Sequence, residues 1–322
     1  MSTSSPPRVS IGLPVRDGER YLRTALDSIR AQTFTDFELI IADNASSDGT
    51  EAICREYAAA DRRVRIVRNT TNLGVARNFN LTLEQARGRY FKWAADDDVL
   101  EPEFVARCVE QLDRDPDLVL CHAQTRIIDE QGIAMGDYTY VPGHASAAQP
   151  SHRLRDVLAE DRWCFELFGV IRAETLRRTR LLDRYVGSDR ILLADLALRG
   201  RFAILPDYLF LNRDHPARTV RRFPAHHLRA GVVDPALEGR RVLPHWRIFA
   251  EYARCIRRVP MRAQERLRCY RALGGWLRRH NNWARLAADV VIAVAPSSGN
   301  VLLKLAASDR RWLAGRVGSS KG

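Results

Sequence analysis

No stretch of this 322-residue chain stays apolar for long enough to cross a bilayer. The most apolar late segment, Leu286 to Ala295, is broken by Asp289 and ended by Pro296, short of the roughly 18–20 apolar residues a span requires. Nor does Met1-Ser2-Thr3-Ser4-Ser5-Pro6-Pro7 lead into the apolar run of a secretory signal, because a strand pattern begins almost at once. These absences predict a disordered residue 1–7 segment and a soluble or peripheral protein that faces the cytoplasm. The six cysteines, Cys54, Cys108, Cys121, Cys164, Cys255 and Cys269, contain no C-x-x-C pair, which removes the usual zinc and redox patterns. Scattered in apolar segments, they read as buried free thiols. No internal repeat is visible, and without a recognised nucleic-acid motif no nucleic-acid partner is expected.

What is present is a globular composition, 46% hydrophobic and 28% charged, in a chain long enough for one α/β domain with an appendage. The net charge of +12 is unevenly spread. Residues 1–212 hold 28 Lys and Arg against 32 Asp and Glu, whereas residues 213–322 hold 23 against 7. Such asymmetry points to a basic appendage that meets an anionic surface or partner, or simply to arginine-rich solvated helices.

Apolar strands alternate with amphipathic segments from the start. Val9–Leu13, Phe37–Ala42, Val64–Val67 and Tyr90–Ala94 read as strands, and Glu19–Ala31, the stretch after Asp48, and Val75–Ala86 read as helices. In the first helix Tyr21, Leu22, Ala25 and Ile29 share one face. This alternation predicts a mostly parallel sheet with helices on both faces, in which ligands sit beyond the carboxyl ends of the strands. Polar clusters follow all four strands: Pro14 to Glu19, Asp43 to Thr50, Asn69 to Gly74, and Asp96-Asp97-Asp98. Each alone is ordinary turn chemistry. The acid triplet by itself reads equally as a solvated turn before a helix at Glu101 or as a site for a hard divalent cation.

Further along, Asp117 to Ile128 predicts a fifth strand, residues 136–151 a long loop able to act as a mobile lid, and Phe165 to Ile171 a return to strand. A helix runs from Gly187-Ser188-Asp189 to Leu198, and Phe202–Leu205 and Tyr208–Leu211 close the sheet. Beyond His215, Trp246, Phe249, Ala253 and Ile256, and then Leu267, Tyr270, Leu273 and Leu277, recur at helical spacing as predicted core stripes.

Leu13-Pro14-Val15-Arg16-Asp17-Gly18-Glu19-Arg20-Tyr21-Leu22, Asp43-Asn44-Ala45-Ser46-Ser47-Asp48-Gly49-Thr50, Asn72-Leu73-Gly74 and Asp96-Asp97-Asp98, in this order, resemble the family 2 glycosyltransferases. That resemblance covers roughly residues 8–220. It implies a GT-A (Rossmann-like) fold, with a nucleotide-sugar half at about 8–100, an acceptor half at about 101–220, and a basic α-helical region at 221–322. It further implies a metal-dependent, inverting transfer of sugar from a nucleoside-diphosphate donor, a UDP-sugar, to a hydroxyl of a cell-envelope glycan or lipid-linked acceptor.

Carried over by position, Pro14, Arg16 and Glu19 meet the base and ribose, Asp43 binds the base, and Asn72 and Gly74 close over the nucleotide, with Arg77 near a phosphate. Asp48 lies in the second cluster, where helix capping is the competing role. Asp96 falls at the ribose position and Asp97 at that of a Mg²⁺ or Mn²⁺ ligand. Asp98 shares either task or caps the next helix. Ala95 departs from the commonest form of the motif. Asp189 matches the general base, with capping of its own helix as the alternative and Ser188 where many relatives carry an acid. Arg213-Asp214-His215 resembles an R-x-H motif, which makes His215 a metal ligand or a contact of the diphosphate, with Arg213 or Arg218 beside it. Two other readings remain: nucleotidyl transfer on the same fold, for which Pro14 to Gly18 lacks a glycine-rich phosphate loop, and a non-catalytic protein that binds membrane or nucleic acid through its basic third. Anionic lipid suits that third better, on the inner face of the membrane.

Overall fold

The structure is a computed structural model and describes residues 5–141, 143–159, 163–218 and 243–294. Nine strands form one sheet in the order β3-β2-β1-β4-β8-β6-β9-β5, with β7 beside β6. These are β1 (Val9–Val15), β2 (Phe37–Asp43), β3 (Val64–Arg68), β4 (Tyr90–Trp93), β5 (Val99–Leu100), β6 (Leu118–Ile128), β7 (Ala134–Tyr138), β8 (Val170–Arg172) and β9 (Arg201–Arg213). The first four pair in parallel, as the βα alternation requires. The second half is mixed: β8 runs antiparallel to both β4 and β6, β5 antiparallel to β9 and β7 antiparallel to β6, whereas β6 and β9 are parallel.

Helices α1 (Glu19–Arg30), α2 (Thr50–Ala60) and α4 (Phe104–Arg114) cover one face, where Leu13, Leu22, Leu26, Ile53, Phe104 and Leu112 form a core. Helices α3 (Val75–Glu84), α5 (Pro150–Ala159), α6 (Ala173–Arg177) and α7 (Ser188–Arg199) cover the other. Onto that second core α8 (Pro244–Arg258) and α9 (Ala263–Arg278) bury Ile248, Tyr252, Ile256, Leu273 and Trp276; α10 (Asn282–Val294) follows. The helices of the basic third therefore pack on α7 and α5 and share the core on that side of the sheet. Five cysteines are buried and free, and Cys164 is free and half-buried.

Several expectations are corrected. Phe165–Phe168 is a 3₁₀ turn, and only Val170–Arg172 is strand. One strand with bulges, β9, replaces the two closing strands. Helix α4 begins at Phe104, three residues beyond Glu101. Residues 136–151 are not loop throughout: Ala134–Tyr138 pairs with β6, a helix starts at Pro150, and Tyr140, His144 and Ala145 between them are buried. Tyr21 leaves the core face of α1, which buries Leu22, Ala25, Leu26 and Ile29. Of the predicted stripes, Ile256 and Leu273 are buried and Phe249, Ala253 and Leu277 pack against the core, whereas Trp246 in α8 and Leu267 and Tyr270 in α9 face solvent.

Candidate active site

The loops after β1 and β2 are stapled to each other by hydrogen bonds. Asp17 Oδ1 accepts the Ser47 N–H at 2.8 Å, and Thr50 Oγ1 accepts the Gly18 N–H at 2.9 Å. Asp48 Oδ2 accepts the Glu19 N–H at 3.1 Å while Glu19 Oε2 accepts the Gly49 N–H at 2.9 Å, a reciprocal cap of two neighbouring helices. Glu19 and Asp48 are therefore engaged in holding the loops. Asp17 and Ala45 sit at positive φ, 52° and 57°, an uncommon conformation for side-chain-bearing residues that marks both loops as constrained.

Asp43 ends β2 almost fully buried, paired with Arg68 on β3 and accepting the Ser46 N–H through Oδ1 at 3.0 Å. Asn72 Oδ1 accepts from Asn44 Nδ2 at 2.8 Å and from the Gly74 N–H at 2.9 Å. Gly74 adopts φ 81°, which a β-carbon would strain, and starts α3. Pro14 lies in β1 opposite Ala42. Arg16 is half-exposed beside Asp17. Arg77 is exposed and pairs with Glu84 seven residues along α3.

The acid triplet follows β4. A β-carbon on Gly18 would lie 2.2 Å from Asp96 Oδ2, so the glycine is what admits this carboxylate against the first loop. Asp97 Oδ2 lies 3.0 Å from His215 Nε2. Asp98 is buried, and its Oδ1 accepts both Asn212 Nδ2 and the Arg213 N–H at 2.9 Å. That contact ties the triplet to the end of β9; it does not cap α4. Burial, reinforced by the charge of Asp97, pushes the pKa of Asp96 and of Asp98 above the usual carboxylate range.

Arg213, named in sequence beside His215, and Tyr21 and Glu130, given no site role there, complete the surroundings of Asp97. Arg213 Nε donates to the Asp97 carbonyl at 2.9 Å, and its Nη1 donates to the carbonyls of Asp129 and Glu130. Its guanidinium lies 4.9 Å from the Tyr21 ring centroid, the Tyr21 and His215 rings are 5.0 Å apart, and Tyr21 Oη meets Glu130 Oε1 at 3.2 Å. The nearness of Arg213 to His215 in sequence was a signal; nothing local marked Tyr21 or Glu130.

Asp189 is half-buried in the first turn of α7, after Gly187 at φ 90°, and accepts the Arg190 N–H at 2.9 Å. Helix α8 supports this turn, since a β-carbon on Gly187 would lie 2.9 Å from Ile248 Cδ1. Contacts lead from the neighbourhood of Asp189 toward the triplet. Burial, with the charge of Asp189 adding to it, raises the pKa of Cys164; the adjacent Trp163 ring lies 5.3 Å from the Arg218 guanidinium; Arg218 Nη1 donates to Asn212 Oδ1 at 2.8 Å; and Asn212 holds Asp98. Asp195 is buried in mid-helix and paired with Arg199.

Among the described residues no three His, Cys, Asp or Glu side chains gather into a metal cage. Asp97 and His215 nevertheless offer an oxygen and a nitrogen donor side by side. That set fits Mg²⁺ or Mn²⁺ of the kind held by one or two protein groups plus substrate phosphates, with the imidazole favouring Mn²⁺.

Comparison with known proteins agrees with this architecture. Chondroitin synthase of Escherichia coli is 33% identical over 126 residues, 39% of this chain and 18% of that one. The chain spans about a third of the length of the first curated relatives it matches. Among solved structures, S. aureus TarS 1–349 in complex with UDP-GlcNAc superposes with a TM-score of 0.62 at 16% identity, covering 92% of this chain and 83% of TarS. The mannosyltransferase PcManGT of Pyrobaculum calidifontis, in complex with GDP-Man and Mn²⁺, gives 0.55 at 19% identity, covering 96% and 84%. Both likenesses concern the fold. Residues 10–185, more than half of the chain and containing the first-strand loop, the acid triplet and the 3₁₀ turn, match Glycosyl transferase family 2, and the protein belongs to that glycosyltransferase family.

Proposed function

We propose that this protein transfers a sugar from a UDP-sugar to a hydroxyl of a cell-envelope glycan or lipid-linked acceptor, with inversion and with a divalent cation. The observation that carries this reading is the meeting of Asp97 and His215 at the sheet edge, beside Asp96 and the Gly18 loop. The neighbours in complex with UDP-GlcNAc and with GDP-Man and Mn²⁺ support it.

In this reading Asp43, held by Arg68, and the Pro14–Arg16 loop receive the base, Asp96 the ribose, and Asn72 and Gly74 close the nucleotide side. Asp97 and His215 hold the cation, with Asp98 stabilising the loop beneath them. When bound, the cation offsets charge on the departing diphosphate. Asp189 accepts the proton of the acceptor hydroxyl as its oxygen attacks the anomeric carbon and the bond to the diphosphate breaks. Arg77, exposed and paired with Glu84 on α3, is the candidate partner of a phosphate. Thermal shift with UDP-GlcNAc and GDP-mannose, each with and without Mn²⁺, tests the donor assignment. A ligand at a hundred times its Kd adds about 2.7 kcal/mol of stability. The expected result is a shift with UDP-GlcNAc that requires Mn²⁺; a shift with GDP-mannose alone rules out the UDP assignment.

The protein works, in our reading, on the inner face of the cell membrane. No described helix is long and apolar enough to cross a membrane. Leu267 and Tyr270 on α9 are exposed beside Arg268, Arg271 and Arg278, and Trp283, Val290 and Val294 line an exposed apolar stripe of α10. Apolar and aromatic side chains flanked by arginine suit an interfacial helix on anionic lipid. Co-sedimentation with acidic vesicles, lost in high salt and weakened by Val290→Asp, is expected. Equal binding to neutral vesicles counts against this surface.

A further inference from the structure

Only three of the 51 basic residues are lysine, and Lys92 is the one that lies among the described residues. It is also completely buried, in the middle of β4. A buried ammonium is costly unless its protons are satisfied, and arginine, used almost everywhere else, brings a larger planar fork. The position thus calls for a compact cation.

Its surroundings show where the cation is used. The antiparallel ladder between β4 and β8 consists of Tyr90 opposite Arg172 and Phe91 opposite Ile171. Beyond Phe91 the two segments diverge: β4 continues through Trp93 toward the acid triplet, while the chain before β8 turns away as the Phe165–Phe168 3₁₀ turn. Lys92 Nζ sits at this fork. It donates to the Trp93 carbonyl at 3.1 Å on one side and to the Phe168 carbonyl on the other. The rings of Phe104 and Phe210, with centroids 4.6 and 5.7 Å from Nζ, line the pocket. His122 stacks edge-on against the same two rings and has no partner at either ring nitrogen. Burial pushes the Lys92 pKa down to about 7, with the charges of Cys108 and Asp98 acting in the opposite direction.

We propose that Lys92 is a positioning residue that fixes the turn carrying Trp163 and Cys164, beside Asp189, relative to the acid triplet. It holds the acceptor side of the site at a set distance from the donor side by joining one carbonyl from each. This inference rests on the proposed glycosyl transfer for its consequence in catalysis, but its structural part does not.

The full-length protein with Lys92→Met tests it, because methionine keeps the length and removes the ammonium and both hydrogen bonds. Hydrogen exchange of the amides in residues 163–169 is expected to accelerate at least about tenfold while exchange in α2 is unchanged. Mn²⁺–UDP affinity should stay within about threefold. Turnover of UDP-GlcNAc, with water as acceptor, should fall at least about tenfold in kcat with KM preserved, since a displacement near 1 Å can cost a hundredfold. Unchanged exchange in 163–169 overturns the proposal, as does a parallel loss of UDP affinity and turnover, which would place Lys92 in donor binding. If the methionine variant shows no cooperative melting, Lys92→Gln, which keeps an N–H donor without the charge, is measured in its place. Failure of the wild-type protein to bind UDP counts against the donor assignment alone, because the exchange experiment needs no substrate.

Discussion

Asp97→Ala is expected to lower Mn²⁺-dependent turnover of UDP-GlcNAc by about a thousandfold, because in the proposed site it removes a cation ligand where charge develops on the leaving diphosphate. The variant should fold normally. Asp97 is held mainly through its backbone, whose carbonyl accepts Arg213 Nε at 2.9 Å, and its carboxylate contact is to His215. Removing the carboxylate also relieves Asp96 and Asp98 of a neighbouring charge that raises both their pKa values, which is a reason to expect no loss of thermal stability. The measurement is turnover across a Mn²⁺ titration. A large fall in maximal rate, or a shift of the titration to much higher Mn²⁺, is expected; turnover within tenfold of wild type at the same Mn²⁺ removes Asp97 from the cation site. Asp97→Asn is a useful companion, since the amide can still meet His215 but is a poorer ligand.

Asp189→Asn should lower kcat by about 10²- to 10⁴-fold, the usual contribution of a positioned general base. Nucleotide binding should survive, because Asp189 lies in the first turn of α7 and, among the described residues, no contact joins it directly to the triplet. Calorimetry with Mn²⁺–UDP is therefore expected to give an affinity within about threefold of wild type. The bond from the Arg190 N–H to Asp189 Oδ1 can still form to the amide oxygen of asparagine, so a change in melting temperature should be small. A variant with unimpaired kcat leaves Asp189 as a residue of the helix terminus, and the base must then be sought among the groups around the Trp163–Phe168 turn. A variant that loses affinity and rate together points instead to a collapsed α7 terminus.

The pair of variants separates the two halves of the proposed site. In that reading the first acts on the cation and diphosphate, the second on the proton of the acceptor. The contacts between the triplet and the Trp163–Phe168 turn, through Arg218 and the buried Asn212 and through Lys92, are what the sequence revealed least. Lys92 lies one residue from Trp93 in an apolar run and carries no pattern of its own. Its role depends on Phe168, which is 76 residues away.

The strand-helix alternation and the order of the four polar clusters were legible because they are local. Periodicity of 2 and 3.6 identifies the elements, and the carboxyl ends of parallel strands must share one edge. The acid triplet and the first-strand loop could thus be placed on one sheet edge from the chain alone, whereas Asp189 was named only through the resemblance to a family. Tertiary structure decided what competes with each assignment. Glu19 and Asp48 cap each other's helices, Arg77 pairs with Glu84, and Asp98 gives its Oδ1 to Asn212 and the Arg213 N–H. It also placed Tyr21 and Glu130 around Asp97, turned Phe165–Phe168 away from the sheet and packed the basic helices α8 and α9 on its core. Those facts rest on contacts between residues tens of positions apart, which hydrophobic periodicity does not encode.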